Sequence, residues 1–399
     1  MTPLAGRLTR TDMALLAATC LLALLLRLWQ LNASLWYDEV LTLTDFVRLP
    51  LKGIVTSYSS LNNHVFFSLQ AHLSTAIFGE SAWALRLPAV LLGVATVPVL
   101  FALIRQIGAP TVWAHIAALL LAINYHHIWF SQNARGYSGL IFWCLLATMA
   151  FVAGGRRRAA GPWLWFSLAA ALAIYTHLSA SFYLASLGGI YLLLWPQARR
   201  RPTAQTVGYG SMQPLICVPV TLLIVGALYA PMVPQMIAVF SKVATPTAEA
   251  TLEAVPVWRN PLWTLQEILR SAPLPLPLTL AILPVLLMIL GMGFAAIWRL
   301  NRAVALALPV SILLTMLALV AGGMRLWPRY FLIELPFLLL LATAGTAALA
   351  DWIGDRLGGA RFLKATGWAL GIAASLIWAS RNYTSPKQDF LGAVELVEA

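Results

Sequence analysis

Two adjacent carboxylates, Asp38 and Glu39, follow the first long apolar run of the chain. The topology derived below places them at the outer end of a membrane helix, where an ionisable side chain is costly unless it is paired or functional. A carboxylate there can accept a proton from a hydroxyl group as that group attacks a carbon atom, which is general-base catalysis. We predict that Asp38 and Glu39 are the catalytic residues, with Asp38 as the base and Glu39 able to position it. The alternative is that the pair caps a helix or binds a nearby arginine.

Three arginines could hold a phosphate group near these acids. Arg325 and Arg329 flank Trp327-Pro328 where an apolar run meets the outer interface, and Arg135 lies at a similar depth. A guanidinium group contacts phosphate through two parallel hydrogen bonds. A single arginine at a helix end more often extends its charge to the interface. Three of them on the face that carries the acids favour a phosphate site.

Two histidines and a tyrosine complete the candidate set. His64 and His177 are predicted to contact substrate, although a lone histidine in an apolar setting is more often a hydrogen-bonded structural residue. Tyr330 follows Arg329 and is placed with the substrate-binding residues. Asp38, Glu39 and His64 could hold a divalent metal, but no ligand set of fixed spacing accompanies them. The sequence therefore assigns neither a metal nor a cofactor.

The composition predicts a chain dissolved mainly in lipid. Hydrophobic residues make up 60% of its 399 residues and charged residues 10%, with a mean hydropathy of +0.81. Soluble domains carry roughly 25% charged residues. A spanning helix needs about 20 apolar residues, and about eleven such runs are present. Because these runs do not alternate as barrel strands do, we predict an all-α polytopic membrane protein.

The predicted organisation is one transmembrane domain, residues 1–380, with a short outer tail, residues 381–399. The expected spans are residues 13–31, 83–104, 112–130, one that runs in to Arg156, 163–175, 182–195, 214–233, 276–298, 303–320, 330–349 and 366–380. Two long outer loops, residues 33–80 and 236–275, are too long to be simple connectors. The first contains the two acids and an amphipathic stretch, residues 46–55, that is expected to lie in the interface plane.

The distribution of charge sets the orientation. The net charge of +12 could indicate nucleic acid, but the arginines cluster in short loops between apolar runs, which is typical of cytoplasmic loops. The assigned inner loops contain 14 of the 26 Lys and Arg residues but 3 of the 14 Asp and Glu residues. This orientation places the candidate residues together on the outer side: Asp38, His64, Arg135, His177, Arg325 and Arg329. We therefore predict an integral membrane protein with its site on the extracytoplasmic side and no nucleic-acid partner.

Six short segments are distinctive in sequence and are spread over nearly the whole chain. They are residues 36–39 (WYDE), 63–69 (NHVFFSL), 78–88 (FGESAWALRLP), 129–137 (WFSQNARGY), 175–177 (YTH) and 329–336 (RYFLIELP). In this order they resemble motifs of the protein-mannosyltransferase-like glycosyltransferases with the GT-C fold.

The resemblance implies a fold, a reaction and partners. It implies an inverting transferase that moves a sugar from a polyprenyl-phosphate carrier to a cell-envelope acceptor, a lipid, glycan or protein, with Asp38 at the position of the family's catalytic acid. Relatives include aminoarabinose transferases of lipid A and protein mannosyltransferases. The donor's isoprenoid tail would lie among the spans and membrane lipids, with its phosphate on Arg325, Arg329 or Arg135.

The chain departs from the family pattern at two places. Val65-Phe66 replaces the usual Pro-Pro after His64, and Asn133 stands where an acid is common. Relatives also continue into a soluble outer domain after a segment like residues 387–392. Residues 381–399 are therefore either a short tail or the truncated start of such a domain.

A transporter or lipid flippase for an anionic lipid-linked substrate is the alternative function. It would use Asp38 and Glu39 as a coupling site and the arginines to guide the lipid. Transporters tend to have internal repeats and binding sites near the bilayer midplane. This chain has its acids at one interface and no convincing repeat, which favours the enzyme.

Overall fold

The structure is a computed structural model that describes residues 7–244, 260–262, 266, 275–322, 324 and 326–384. In this part of the chain the secondary structure is helical, without strands, so the prediction of an all-α fold is confirmed. The second outer loop, residues 236–275, is described only in part. Arg325 and residues 385–399 lie outside the described residues.

The helices follow one another with short connections, apart from the two outer loops. Helix α1 (Arg10–Leu28) precedes the first long outer loop. That loop contains α2 (Tyr37–Thr42), α3 (Leu51–Ile54) and α4 (Val65–Phe78). The middle of the chain forms α5 (Ala82–Gln106), α6 (Thr111–Ala122), α7 (Tyr125–Ser131), α8 (Tyr137–Gly155), α9 (Ala160–Thr176), α10 (Ala180–Arg200), α11 (Gln213–Tyr229) and α12 (Val233–Ala244). The last described part forms α13 (Leu276–Leu300), α14 (Arg302–Ala321), a 3₁₀ segment (Pro328–Glu334), α15 (Leu335–Leu357) and α16 (Ala360–Thr384).

Helix α1 shows how the sequence starts a membrane helix. The Thr9 hydroxyl accepts a hydrogen bond from the Asp12 backbone N–H, and the Asp12 carboxylate accepts one from Thr9. This capping box satisfies backbone donors that the first turn leaves unpaired. Leu21 and Leu25 of the same helix are 56% and 57% exposed. Apolar side chains that face outward in this way are suited to lipid rather than water.

Eight of the described helical stretches are long and apolar enough to cross a membrane. Three further apolar helices are shorter, namely α4, α6 and α9. The expected span 112–130 is one source of the difference from eleven, because it is divided into α6 and α7 at Ile123-Asn124. The Asn124 side chain caps α7 by accepting a hydrogen bond from the His127 backbone N–H at 3.1 Å. A polar cap within an apolar run ends one helix and starts another.

The first outer loop folds back onto the helical bundle. Residues Leu43–Val47 form a single π-helical turn between α2 and α3. Phe46, Val47 and Ile54 are buried, so the expected amphipathic stretch turns its apolar side inward. Helix α4 begins directly at Val65 with His64 as its N-cap. The absence of the family's Pro-Pro thus coincides with a helix that starts immediately after the histidine.

Helices α13 and α15 approach each other through glycines. A Cβ atom on Gly293 would lie 2.0 Å from the carbonyl oxygen of Leu341, and one on Gly345 would lie 1.8 Å from that of Ile289. No side chain fits at these distances. Small residues allow membrane helices to pack backbone to backbone, so these two positions fix where α13 and α15 cross.

The long helices carry the candidate residues to one end of the bundle. Helix α8 begins two residues after Arg135, and α9 ends just before His177. Arg329 lies on the 3₁₀ segment that follows α14 in the sequence. The arginine-rich connections after α8 and α10 lie at the opposite ends of those helices. The described part of the chain is therefore an integral membrane bundle with two chemically different ends.

Candidate active site

Asp38 and Arg135 form the centre of the candidate site. Oδ2 of Asp38 lies 3.0 Å from Nη1 of Arg135, in an ion pair between α2 and the turn before α8. Asn62 links the same two residues, because it accepts from Nη1 of Arg135 and donates to the Asp38 backbone carbonyl at 3.2 Å. The Asp38 side chain is 27% exposed and that of Arg135 5%. A solvent-accessible carboxylate is thus held against a nearly buried cation.

Arg329 reaches the same carboxylate oxygen from the other part of the chain. Its Nη1 lies 3.8 Å from Oδ2 of Asp38, and its side chain is 36% exposed. The guanidinium carbon stands 5.3 Å from the centre of the Trp327 ring, and Arg329 lies on the 3₁₀ segment that precedes α15. Tyr330 follows on that segment and is half-buried. Two cations therefore converge on one acid from sequence positions 194 residues apart, which is the difference between 329 and 135.

The turn between α7 and α8 is held at each of its residues. Its polar contacts reach different elements and together fix the position of Arg135. They are Gln132 Nε2 to the carbonyls of Arg27 (3.0 Å) and Trp29 (2.7 Å), Asn382 Nδ2 to Gln132 Oε1 (2.6 Å), Trp36 Nε1 to Asn133 Oδ1 (3.1 Å), Ala134 N to Glu39 Oε1 (2.7 Å) and Gly136 N to His64 Nδ1 (2.7 Å). Asn133 thus serves as the acceptor for an indole N–H.

Glu39 occupies a different environment from its neighbour Asp38. Its side chain is 1% exposed and is paired with Arg86, whose Nε and Nη2 donate to the two carboxylate oxygens at 2.8 and 2.6 Å. Arg86 also donates to the backbone carbonyls of Leu31, Ala33 and Ser34. Both oxygens of Glu39 are therefore engaged in holding the start of the outer loop to α5. This arrangement suits the positioning role better than the base role.

His64 and His177 lie side by side, with ring centres 4.4 Å apart. His64 accepts through Nδ1 from Gly136, and His177 accepts through Nδ1 from the Ser179 backbone N–H at 3.2 Å. Burial lowers the pKa of His64 well below its usual value, and the Arg135 charge lowers it further. Burial, followed by Arg135, lowers the pKa of His177 to about 3. Both rings are consequently neutral near pH 7, and the remaining proton of His177 is on Nε2 because its Nδ1 accepts.

Gly136 is needed for this histidine contact. A Cβ atom there would lie 2.7 Å from the Thr176 carbonyl oxygen and 3.1 Å from Nδ1 of His64. The absence of a side chain lets the backbone of the turn approach both groups. The ring of Tyr137 lies 5.1 Å from that of His177 and 5.5 Å from that of His64, which places an aromatic ring beside the pair.

The structure brings together most of the residues singled out from the sequence. Asp38, Arg135 and Arg329 are in mutual reach, and His64 adjoins Arg135 with Nε2 and Nη2 3.4 Å apart. In the described residues no group of three or more His, Cys, Asp and Glu side chains is arranged to hold a metal ion. The metal alternative therefore gains no ligand set from this part of the chain.

Sequence reasoning missed Arg86 and Asn62. Arg86 lies in a matched segment but was given no role, although it is the only charged residue in the first 23 residues of α5, which are otherwise apolar. A charge in such a run is a reason to search for a partner. Asn62 carries no comparable signal, because uncharged amides are common in loops.

The chain is similar to a known protein family in part of its sequence and to solved structures in its fold. Residues 65–225 match the model of the dolichyl-phosphate-mannose-protein mannosyltransferases. No curated protein matches the chain by sequence. The oligosaccharyltransferase AglB from Archaeoglobus fulgidus, solved with an inhibitory peptide and a dolichol-phosphate, superposes with a TM-score of 0.56 at 14% identity. ArnT from Cupriavidus metallidurans, bound to undecaprenyl phosphate, superposes with a TM-score of 0.55 at 14% identity.

The chain has the GT-C fold of AglB and ArnT. The AglB superposition covers 96% of this chain and 57% of AglB, and the ArnT superposition covers 93% of this chain and 75% of ArnT. The GT-C likeness therefore extends through nearly all of the chain. Asp38 and Arg329 lie outside the residues matched by the family model.

Proposed function

We propose that this GT-C protein transfers a sugar from a polyprenyl-phosphate carrier to a cell-envelope acceptor, with inversion and with Asp38 as the general base. The observation that carries the proposal is the convergence of Arg135 and Arg329 on the Asp38 carboxylate. An acid and two cations at the membrane interface suit a reaction between a hydroxyl group and a lipid-borne phosphate ester. The two superposed proteins are described with lipid phosphates, dolichol-phosphate and undecaprenyl phosphate, which supports this donor class.

Arg135 and Arg329 would hold the phosphate of the donor. A phosphate ester offers several oxygens to guanidinium groups, in hydrogen bonds strengthened by charge. It would compete with Asp38 for the two cations and thereby leave the carboxylate freer to accept a proton. The more exposed Arg329 is the one with greater freedom to follow the phosphate. Arg325 remains a sequence prediction for the same role.

Asp38 would act on the acceptor in a single displacement. The acceptor hydroxyl oxygen forms a bond to the anomeric carbon, while the bond between that carbon and the phosphate oxygen breaks. The hydroxyl proton goes to Asp38, and the leaving electron pair remains on the polyprenyl phosphate, whose charge the arginines stabilise. Attack on the face opposite the leaving group inverts the anomeric centre.

His64, His177 and Tyr330 would contact the donor around this centre. His177 presents an Nε2–H donor, since its Nδ1 already accepts a hydrogen bond, whereas Nε2 of His64 lies 3.4 Å from Nη2 of Arg135. A neutral donor can bind a sugar hydroxyl or a phosphate oxygen without competing with Asp38 for protons. Glu39 would keep Asp38 in place through Arg86 and the Ala134 backbone.

The proposed location is a bacterial inner membrane with Asp38 on the periplasmic side. The arginine-rich connections at the opposite end of the bundle support this orientation. The acceptor is then a molecule of the cell envelope that is reached from outside the membrane.

The experiment that tests the proposal measures release of polyprenyl phosphate from a panel of polyprenyl-phosphate sugars by the purified full chain. Asp38→Asn keeps the shape of the side chain and removes the base, so turnover should fall about 100-fold or more. Asp45→Asn is the matched control, because Asp45 lies in the same outer loop and bonds only to Thr44 among the described contacts. Near-normal turnover by Asp38→Asn would remove Asp38 as the base. Absence of release from every donor with the unaltered chain would favour lipid transport instead.

A further inference from the structure

A cavity of about 480 Å³ opens at the end of the bundle opposite Asp38. It lies between the end of α10, the connection to α11 and the turn between α13 and α14, and its walls include Gln197, Trp298, Arg299 and Arg302. Helix α10 begins three residues after His177 and has 21 residues. At 1.5 Å per residue such a helix is about 30 Å long, so the cavity and the proposed active site lie on opposite sides of the membrane.

The cavity carries positive charge without a carboxylate to balance it. Nη1 of Arg302 donates to Oε1 of Gln197 at 2.6 Å, a neutral partner that leaves the charge of the guanidinium uncompensated. Arg299 is exposed and lines the same cavity. In the part of the chain that the structure describes, neither arginine comes within 4.0 Å of an acidic oxygen, whereas Lys364 pairs with Asp351.

The connection between α10 and α11, which lines one side of the cavity, is held in place by close contacts. The Gly208 backbone N–H donates to the Gly155 carbonyl at 2.8 Å, and a Cβ atom on Gly208 would lie 1.8 Å from the Gly154 carbonyl oxygen. The Tyr209 hydroxyl donates to the Phe151 carbonyl at 3.2 Å. The connection between α10 and α11 is thereby fastened to the end of α8, so the walls keep their spacing.

The depth of the cavity matches the headgroup layer. The guanidinium carbon of Arg302 stands 5.2 Å from the centre of the Trp298 ring, and Arg199 stacks on Trp195 at 5.0 Å at the end of α10. Tryptophan and arginine at helix ends mark the membrane interface. A pocket at this depth, with arginines above an apolar wall, favours an anionic group over a neutral one.

We infer that this cavity binds a phosphate ester on the inner side of the membrane, through Arg299 and Arg302. Two sources share this chemistry: the headgroup of an anionic phospholipid of the inner leaflet, and a small soluble phosphate ester. Guanidinium groups bind either one through charge-assisted hydrogen bonds. Occupation of the cavity would tie α10 to α14, two helices that also border the proposed active site at their far ends.

The test compares binding by the purified full chain and by two altered forms. The first is Arg299→Gln with Arg302→Gln, and the second is Gln205→Glu, which adds a negative charge to the cavity wall without changing side-chain size. Arg200→Gln is the control, because it removes one charge from the same end without lining the cavity. Thermal unfolding without ligand shows which variants fold normally. If the double variant does not fold, Gln205→Glu alone tests the inference.

Two probes distinguish the sources. Nanodiscs of phosphatidylcholine with and without phosphatidylglycerol report lipid binding by native mass spectrometry, and glycerol phosphate with phosphatidylcholine nanodiscs reports soluble binding by thermal shift. We expect one of the two probes to bind the unaltered chain and Arg200→Gln equally. The same probe should bind the two altered cavities at least about tenfold more weakly. Each charge-assisted bond lost with the arginines has that effect or more, and the carboxylate added by Gln205→Glu repels the phosphate. Equal weakening by Arg200→Gln, or binding of neither probe, would overturn the inference.

Discussion

At the scale of single residues, the two neighbouring acids have separate tasks. Asp38 is 27% exposed and faces the buried Arg135 and the partly exposed Arg329, whereas Glu39 is 1% exposed and is enclosed by Arg86 and a backbone N–H. Successive residues on a helix point about 100° apart, so adjacency in sequence does not imply a shared environment. The division of roles depends on Arg86, which is 47 residues away from Glu39.

Glu39→Gln should destabilise the protein more than Asp38→Asn does. Removing one partner of a buried ion pair leaves the other charge uncompensated, which costs about 3–5 kcal/mol. Asp38 is 27% exposed and Glu39 1%, so water screens the pair of Asp38 with Arg135 more than the pair of Glu39 with Arg86, and the loss should be smaller. Thermal unfolding of the two variants in the same detergent measures the difference. If Glu39→Gln were as stable as the unaltered chain but inactive, Glu39 would be catalytic.

His177 should make the folded protein less stable in acid. Its pKa is lowered to about 3, chiefly by burial and then by Arg135, whereas an unfolded histidine titrates near 6.5. Between about pH 6.5 and pH 3 the unfolded chain therefore binds a proton that the folded chain does not, and the free energy of unfolding falls as the pH falls.

The variant His177→Gln cannot take up that proton and should lose less stability. Apparent melting temperatures at about pH 7.5 and about pH 4.5 compare the two proteins over this range. His64 is present in both and contributes in the same direction, so only the difference between them reports on His177. An equal fall in both proteins would show that His177 does not carry this effect.

At the scale of elements, glycines decide how closely two membrane helices approach. Gly293 of α13 and Gly345 of α15 leave no room for a Cβ atom, since the nearest carbonyl oxygens would lie 2.0 and 1.8 Å away. Gly291, two residues before Gly293, has no such neighbour within 4 Å. The sequence alone does not show which of the two glycines of α13 lies at the contact with α15. The packing shows that it is Gly293.

Gly293→Ala should therefore destabilise the protein, whereas Gly291→Ala should not. The new methyl group at position 293 would force α13 and α15 apart, at a cost of about 1–3 kcal/mol. At position 291 alanine has space and a better helix propensity, worth about 1 kcal/mol. Thermal unfolding of both variants makes the comparison. Equal stability of the two would mean that the helices do not touch at Gly293.

Much of this arrangement follows from the sequence, and the rest depends on tertiary contacts. Hydropathy and arginine distribution predicted the helical bundle, and the placement of Asp38 with Arg135 and Arg329 at one end agrees with the structure. The division of the span 112–130 was missed, because a polar cap such as Asn124 is hard to distinguish from a buried polar residue. The roles of Arg86 and Asn62 were also missed. Their partners are distant in sequence, and no local pattern specifies them.

At the scale of the whole molecule, the two ends of the bundle differ in chemistry. One end carries the acid and the two cations of the proposed active site, and the other carries the arginine clusters after α8 and α10. Loops rich in arginine stay on the cytoplasmic side when a membrane protein is inserted. A molecule with such loops at one end therefore inserts in one orientation, with those loops in the cytoplasm.

Cysteine labelling should reveal that orientation. Ser59 in the first outer loop and Arg158 after α8 are both exposed, so a cysteine at either place can react. In intact cells a membrane-impermeant maleimide should label Ser59→Cys, and Arg158→Cys should react only after the membrane is permeabilised. The unaltered chain, with Cys144 and Cys217 buried, gives the background. The opposite pattern would place Asp38 on the cytoplasmic side.

The hydrogen bond from Asn382 to Gln132 has a consequence for biogenesis. The two residues are separated by 250 positions, and Gln132 supports the turn that carries Arg135. During translation the acid and its nearest cation enter the membrane early, whereas the amide that completes this support arrives with the last described helix. A nascent chain thus contains Asp38 and Arg135 before Asn382 has been made. The turn that carries Arg135 gains its last hydrogen bond only once α16 has been inserted.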